Sequence, residues 1–180
     1  MSDLTDGRLM RLYEMPLLVS DSQREFNLLQ AAVQQRLAPR DFLEHLWASE
    51  LSCCEWEMLQ LRRFKKEIIT SARVPALQNL LGVIYEGSHH NATEDLAHRY
   101  FTNKEMRRKI EKLLRRYGLS ENSIDAEAFR RSLDDLTRIN QRLAELASRR
   151  DKIWQRLEDY RAGLAQPCAA LDPADRQQEC

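Results

Sequence analysis

The sequence predicts an all-α protein: an elongated helical bundle built on a long antiparallel helix pair with a coiled-coil-like seam. Three observations predict it. The 180 residues include only five Gly and five Pro, too few to turn an all-β chain, while 31% are charged and 43% hydrophobic. Apolar residues recur at spacings of three and four rather than alternating. Toward the C-terminus this spacing becomes a sustained heptad.

Taken in order, residues 1–20 hold Asp, Gly and Pro without a sustained period and are expected to form a flexible N-terminal arm, anchored by Leu12, Leu17, Leu18 and Val19. A single helical domain is expected over 21–164, and a disordered Pro-, Ala- and Gln-containing tail over 165–180. The domain opens at Asp21 or Ser22, either a suitable N-cap, with Phe26, Leu29, Val33 and Leu37 forming one stripe that Pro39 ends. A second helix is expected from Arg40 to Ala72, roughly 50 Å long, with Leu43, Trp47, Leu51, Cys54, Met58, Leu61 and Ile68 on one face. Trp56, Leu59 and Phe64 lie off that face, so its middle needs two neighbours. Pro75 is expected to break the chain before a short helix through Leu77, Leu80, Leu81 and Ile84.

Gly87, Ser88 and two histidines mark a connection over 85–91. Asn91 with Glu94 reads as a capping box for a helix over 92–99; Thr102 or Asn103 caps another over 104–117, which Gly118 terminates. The last helix is expected from Ser123 to Ala162, roughly 60 Å long. In it Phe129, Leu136, Leu143, Arg150, Leu157 and Leu164 recur every seven residues, with Ile139, Leu146, Ile153 and Tyr160 three positions later. The packing seam is thus Leu136, Ile139, Leu143, Leu146, Ile153 and Leu157. Arg150 interrupts it and needs an acid or solvent; in an antiparallel pair Glu50, Glu55 and Glu57 are the candidates.

The 28 basic and 28 acidic residues cancel, but not locally. Residues 1–59 carry ten acids and five bases, residues 60–73 five bases and one acid, and residues 101–118 seven bases and two acids. Such segregation suits complementary packing or a local anion site and gives no global nucleic-acid signature. The absence of a long apolar run or a signal-peptide pattern makes a cytoplasmic location, with no membrane association, the expectation.

Little here suggests chemistry. Cys53, Cys54, Cys168 and Cys180 lack the paired close spacing of a zinc or redox centre; Cys54 suits the seam, and Cys53 faces another helix. His90, Glu94 and His98 share a face only if one helix includes all three, and Asn91 as a cap leaves His90 outside. No metal, cofactor or catalytic residue is expected. The basic block is the best polar candidate: Lys104, Arg108, Lys112, Arg115 and Arg116 fall near one another at helical spacing, while Met106, Ile110, Leu113, Leu114 and Tyr117 face the core. Short helix, turn and basic helix resemble a helix-turn-helix in outline. A second basic group, Arg62, Arg63, Lys65, Lys66 and Arg73, has too few aromatics beside it for single-strand binding.

Trp56, Glu57, Leu61, Arg62 and Arg63, then 125–129 leading into Leu133, Leu136 and Ile139, and finally Arg149, Arg150 and Asp151, resemble a family of uncharacterised helical proteins from proteobacteria over residues 40–162. The resemblance implies a bacterial cytoplasmic helical protein and carries over no activity or site residue. The expected function is a non-enzymatic protein-interaction or assembly module, through a protein partner or self-association. The alternative is a nucleic-acid-associated regulator using the basic helix 104–117.

Overall fold

The computed structural model describes residues 22–85 and 90–165. The expected arm, the tail with Cys168 and Cys180, and most of the histidine-bearing connection lie outside the described residues. Within them the protein is all-α. Six helices follow in order: α1 (Gln23–Leu37), α2 (Phe42–Ile84), α3 (His90–Thr102), α4 (Lys104–Arg116), α5 (Glu121–Arg131) and α6 (Leu133–Ala165). Two compact units divide the described residues, one holding those from 22 to 58 and from 144 to 165, the other those between 59 and 143.

In the first unit, α1 starts where its sequence supplies a cap: the Ser22 hydroxyl accepts the Glu25 N–H at 3.3 Å. Phe26 and Leu37 are buried, with Leu29 and Val33 half-buried between them. Phe26 meets Trp56 edge-on, ring centroids 5.6 Å apart. The helix stops at Leu37, ahead of Pro39, because Ala38 adopts a left-handed conformation (φ 44°, ψ 62°) and donates its N–H to the Gln34 carbonyl. Ala38, a residue with a Cβ, holds this left-handed conformation at a steric cost. Ala48, Leu51, Cys54, Trp56 and Met58 of α2 are buried here, as are Leu146, Ile153 and Leu157 of α6. Glu44 pairs with Arg161 and Glu55 with Arg150, so the two segments run antiparallel within this unit.

In the second unit the core is Ala76, Leu77 and Leu81 of α2, Ala97 and Tyr100 of α3, Ile110 and Leu114 of α4, and Ile124 and Ala128 of α5. It explains the first departure from expectation: Pro75 does not break α2, which runs continuously to Ile84. A mid-helix proline costs about 3 kcal/mol and removes one hydrogen bond. The fully buried Ala76, Leu77 and Leu81 directly after it offset that cost only if the helix continues in phase.

α3 begins at His90, so Asn91 lies inside the helix and is not its cap; buried Thr93, Ala97 and Tyr100, spaced four and three, set its phase by packing. α4 begins as the sequence indicates, with Asn103 Oδ1 accepting the N–H groups of Glu105 and Met106 at 2.9 and 3.1 Å. It closes in a Schellman motif: Gly118, at φ +72°, donates to the Arg115 carbonyl, and Leu119 donates to that of Leu114. Tyr117, expected in the core, stands 58% exposed at this cap.

The last expected helix is two helices. Ser132 (φ −99°, ψ 8°) separates α5 from α6, its N–H shared between the carbonyls of Ala128 and Phe129. The buried positions Ile124, Ala128, Ser132 and Leu136 step by fours, which carries the buried stripe out of the heptad phase. Phe129 therefore leaves the heptad and is exposed, as is Leu164 at the far end. Between them Leu136, Leu146, Ile153 and Leu157 are buried, and Ile139 and Leu143 half-buried.

Candidate functional site

Among the described helices α4 is the most sharply two-sided. Ile110 and Leu114 are buried, Met106 and Leu113 half-buried, and these four lie on one side. Helical geometry then sends Lys104, Arg108, Lys112, Arg115 and Arg116 to the other side, and all five are exposed. Lys109 joins them, and Glu105 is the only acid among them. Among the described residues Lys104, Arg108, Lys109, Lys112 and Arg116 form no ion pair, and Arg115 approaches Glu111 at only 4.0 Å.

Arg107 is the contrasting cation of this helix. Its guanidinium donates to Glu111 at 3.0 Å and Glu121 at 3.1 Å and lies over the Tyr100 ring, 5.5 Å from its centre. The Glu111 hydrogen bond and the Glu121 charge hold it even more firmly protonated than an ordinary arginine. Arg73 on α2 meets the same Glu121 at 2.7 Å and Asp125 at 2.8 Å, with Phe101 beneath it. Glu121 accordingly titrates below the usual carboxylate range, chiefly through the Arg73 hydrogen bond. These pairs fix α4 against its neighbours, while five of the six cations on its outer face have no ion pair among the described residues. The second basic group is dispersed: Arg73 is in this network, Lys65 donates to Asn140 on α6 at 2.8 Å, and Arg62, Arg63 and Lys66 are exposed.

α3 and α4 are joined by Asn103 alone, shorter than the three- to four-residue turn of a DNA-binding helix-turn-helix. The likeness in outline does not extend to the connection. Backbone helicity from His90 puts His90, Glu94 and His98 at spacings of four. Cys54 is buried and Cys53 half-buried, and burial pushes both thiols up, away from reactive thiolates.

The best-built polar constellation is in the first unit, and sequence reasoning missed it. Glu44, with no exposed side-chain surface, accepts Arg161 Nε at 3.0 Å and Nη2 at 2.8 Å, together with the Arg40 N–H at 2.9 Å. Arg161 Nη2 also donates to the Leu37 carbonyl at 2.7 Å. Asp41 accepts the Glu44 N–H at 3.0 Å and the Tyr160 hydroxyl at 2.8 Å, and Tyr160 meets Trp47 edge-on. The Arg161 hydrogen bonds hold Glu44 below the ordinary carboxylate range; the Glu44 N–H, then Tyr160, do the same for Asp41. Asp41 raises Tyr160 in return. Asp41 and Glu44 form the spacing of a capping box, the one signal by which the start of this network is legible. Every charge in it is answered, so it is architecture.

Arg150, the charged seam residue, meets Glu55 at 3.4 Å, one of the three acids expected to face it, and Asp151 at 2.8 Å. Beside it a groove of about 460 Å³ is lined by Val33, Leu37, Leu51 and Trp154, with Arg36, Glu55, Arg150 and Asp151 at its rim. Trp154 is 45% exposed there, its indole N–H donated to Glu158.

Compared with known proteins, the chain matches no family model, no curated protein and no solved structure. No described helix is long and apolar enough to cross a membrane.

Proposed function

We propose that this chain is a non-enzymatic helical interaction module that meets an anionic macromolecule through the outer face of α4, carried on a coiled-coil-like pairing of α2 and α6. One observation carries this reading: an exposed face of Lys104, Arg108, Lys109, Lys112, Arg115 and Arg116 with one acid on it, cations of which only Arg115 has an ion pair among the described residues, at 4.0 Å to Glu111. Lys104, Arg108, Lys112 and Arg116 follow one another at spacings of four, three like-charge pairs that each weaken a helix by about 0.2–0.5 kcal/mol. Elsewhere the same chain neutralises its charges closely, as at Arg161 and Arg73. A local excess of positive charge is relieved by an anion from outside. We propose a bacterial cytoplasmic setting for it, a reading that rests on the resemblance in sequence alone.

The test is retention on an immobilised polyanion. Replacing Arg108, Lys112 and Arg115 by Gln is expected to lower the eluting salt concentration while far-UV circular dichroism stays unchanged; unchanged elution refutes the reading. A second reading, assembly with another copy of the chain, has Trp154 in its favour. Leu146, Ile153 and Leu157 are buried within the first unit, and this exposed indole stands beside the apolar groove as an α6 side chain available for contact. Light scattering in reducing buffer separates the two: a dimer that Trp154→Gln dissociates supports assembly, and a monomer opposes it.

A further inference from the structure

We infer that the anionic partner of α4 is the phosphodiester backbone of duplex nucleic acid, held by charge and spacing with little preference for base sequence. This deepens the reading above and requires that the outer face of α4 be the contact surface.

Three anionic surfaces compete: an acidic protein, an anionic membrane and a nucleic acid. Interfaces between proteins centre on apolar and aromatic anchors and are depleted in lysine. The exposed side of α4 has three lysines, three arginines and no apolar residue, the composition of the far more positive protein–nucleic-acid interface. A membrane-surface helix sinks its apolar half among the lipid chains. That half of α4 is already occupied: Ile110 and Leu114 are buried in the core of the second unit with Leu77, Tyr100 and Ala128. Releasing them would dismantle that core, so the helix has charge to offer a bilayer and nothing to insert.

The spacing fits the remaining candidate. Lys104, Arg108, Lys112 and Arg116 rise about 6 Å per step along a helix roughly 20 Å long. A duplex presents one charge per ~1.7 Å of its axis, so every cation along this length has a phosphate within reach. Arginine adds bidentate geometry to phosphate oxygens. The face is also held in shape before it binds, by the Asn103 cap, the Schellman closure at Gly118 and the Arg107 pairs to Glu111 and Glu121. Base reading, by contrast, would rest here chiefly on arginine and lysine against guanine. α4 contains no Asn, Gln, Ser or Thr, and its one-residue link to α3 is not the turn that presents a recognition helix.

The experiment is fluorescence anisotropy of the full chain with labelled 20-base-pair DNA duplexes of two unrelated sequences, between 50 and 200 mM salt. Polyglutamate and phosphatidylserine-containing vesicles are offered in parallel, and far-UV circular dichroism is recorded for each variant. The expected result is binding of both duplexes alike, within about threefold, and weakening on the order of a thousandfold across the salt range, as five or six phosphate contacts require. Arg108→Gln and Lys112→Gln each reduce the salt slope by about 1 and weaken binding roughly 5- to 10-fold, while Arg156→Gln in the first unit changes neither. Polyglutamate or vesicles bound through the same residues, with no duplex bound, would overturn the nucleic-acid assignment and leave α4 as an anion-contact surface. A preference above a hundredfold for one sequence overturns the charge-only mode. No anionic probe bound at 50 mM, or duplex binding indifferent to Arg108→Gln and Lys112→Gln, removes both the assignment and the reading beneath it.

Discussion

Two charged regions of this molecule are built from the same residue types and behave as opposites. In the first unit Asp41, Glu44, Tyr160 and Arg161 form a closed set: Glu44 is buried, Arg161 reaches it with two hydrogen bonds, and the spare donor satisfies the Leu37 carbonyl. In the second unit the outer face of α4 holds six cations and a single acid, turned to solvent. The difference is neutralisation, and it teaches which charges build the fold and which remain available to something outside it. Substitution separates the two kinds because they fail differently, one through stability and the other through binding.

The largest expected effect is at Arg161. Arg161→Met strands a buried carboxylate and is expected to cost about 3 kcal/mol, measured as the shift of a urea unfolding midpoint, with the Trp47 fluorescence of the first unit as the probe. Arg108→Gln is expected to stay within about 0.5 kcal/mol of the parent. Equal losses from the two substitutions would erase the distinction.

Acid sharpens the comparison further. Asp41 and Glu44 both titrate below their ordinary values when folded, through the Glu44 N–H in one case and Arg161 in the other. The stability they contribute is therefore fully present above the ordinary carboxylate range, near pH 4.5, and is lost as pH falls through the lower folded values. Near-UV circular dichroism of Trp47 and Tyr160 is expected to decay over that acid window, and Glu44→Gln to flatten the decay. Tyr160 adds a weaker alkaline limb: its folded value is raised by Asp41, so its contribution is present below about pH 10 and lost as pH climbs through the raised value.

A smaller effect of opposite sign is expected on α4. Lys112→Glu replaces two like-charge spacings with favourable ones to Arg108 and Arg116, and thermal unfolding should show a gain of about 0.5–1 kcal/mol that salt diminishes. A loss there would show that the basic face already has a partner within the chain. Smallest is Ala38→Gly, which relieves the left-handed strain before Pro39 and is expected to stabilise the first unit by about 0.5 kcal/mol by the same urea assay.

Where local signals decide a structure, the sequence was legible. Ser22, Asn103 and Gly118 each cap the helix end that their chemistry suggests, and Leu146, Ile153 and Leu157, which the spacing put on one face, are buried in the first unit. The misreadings occur where packing overrides a local rule: Pro75 sits inside a helix because the three core residues after it hold the phase, and Phe129 turns outward because the buried residues around it step by fours and leave the heptad. For the candidate site, spacing alone collected the five basic residues on one face. It had no way to show that Arg107 is consumed by Glu111 and Glu121, or that Arg161 reaches Glu44 across 117 positions, since such pairings depend on register.

The claim that α4 presents the contact surface is tested most directly by two-dimensional amide NMR of the labelled chain, titrated with a short DNA duplex at low salt. Shift changes clustered over residues 104–118, absent when Arg108, Lys112 and Arg115 are replaced by Gln, are the expected result. Changes gathered instead around Trp154 and Val33, with α4 silent, would contradict the account.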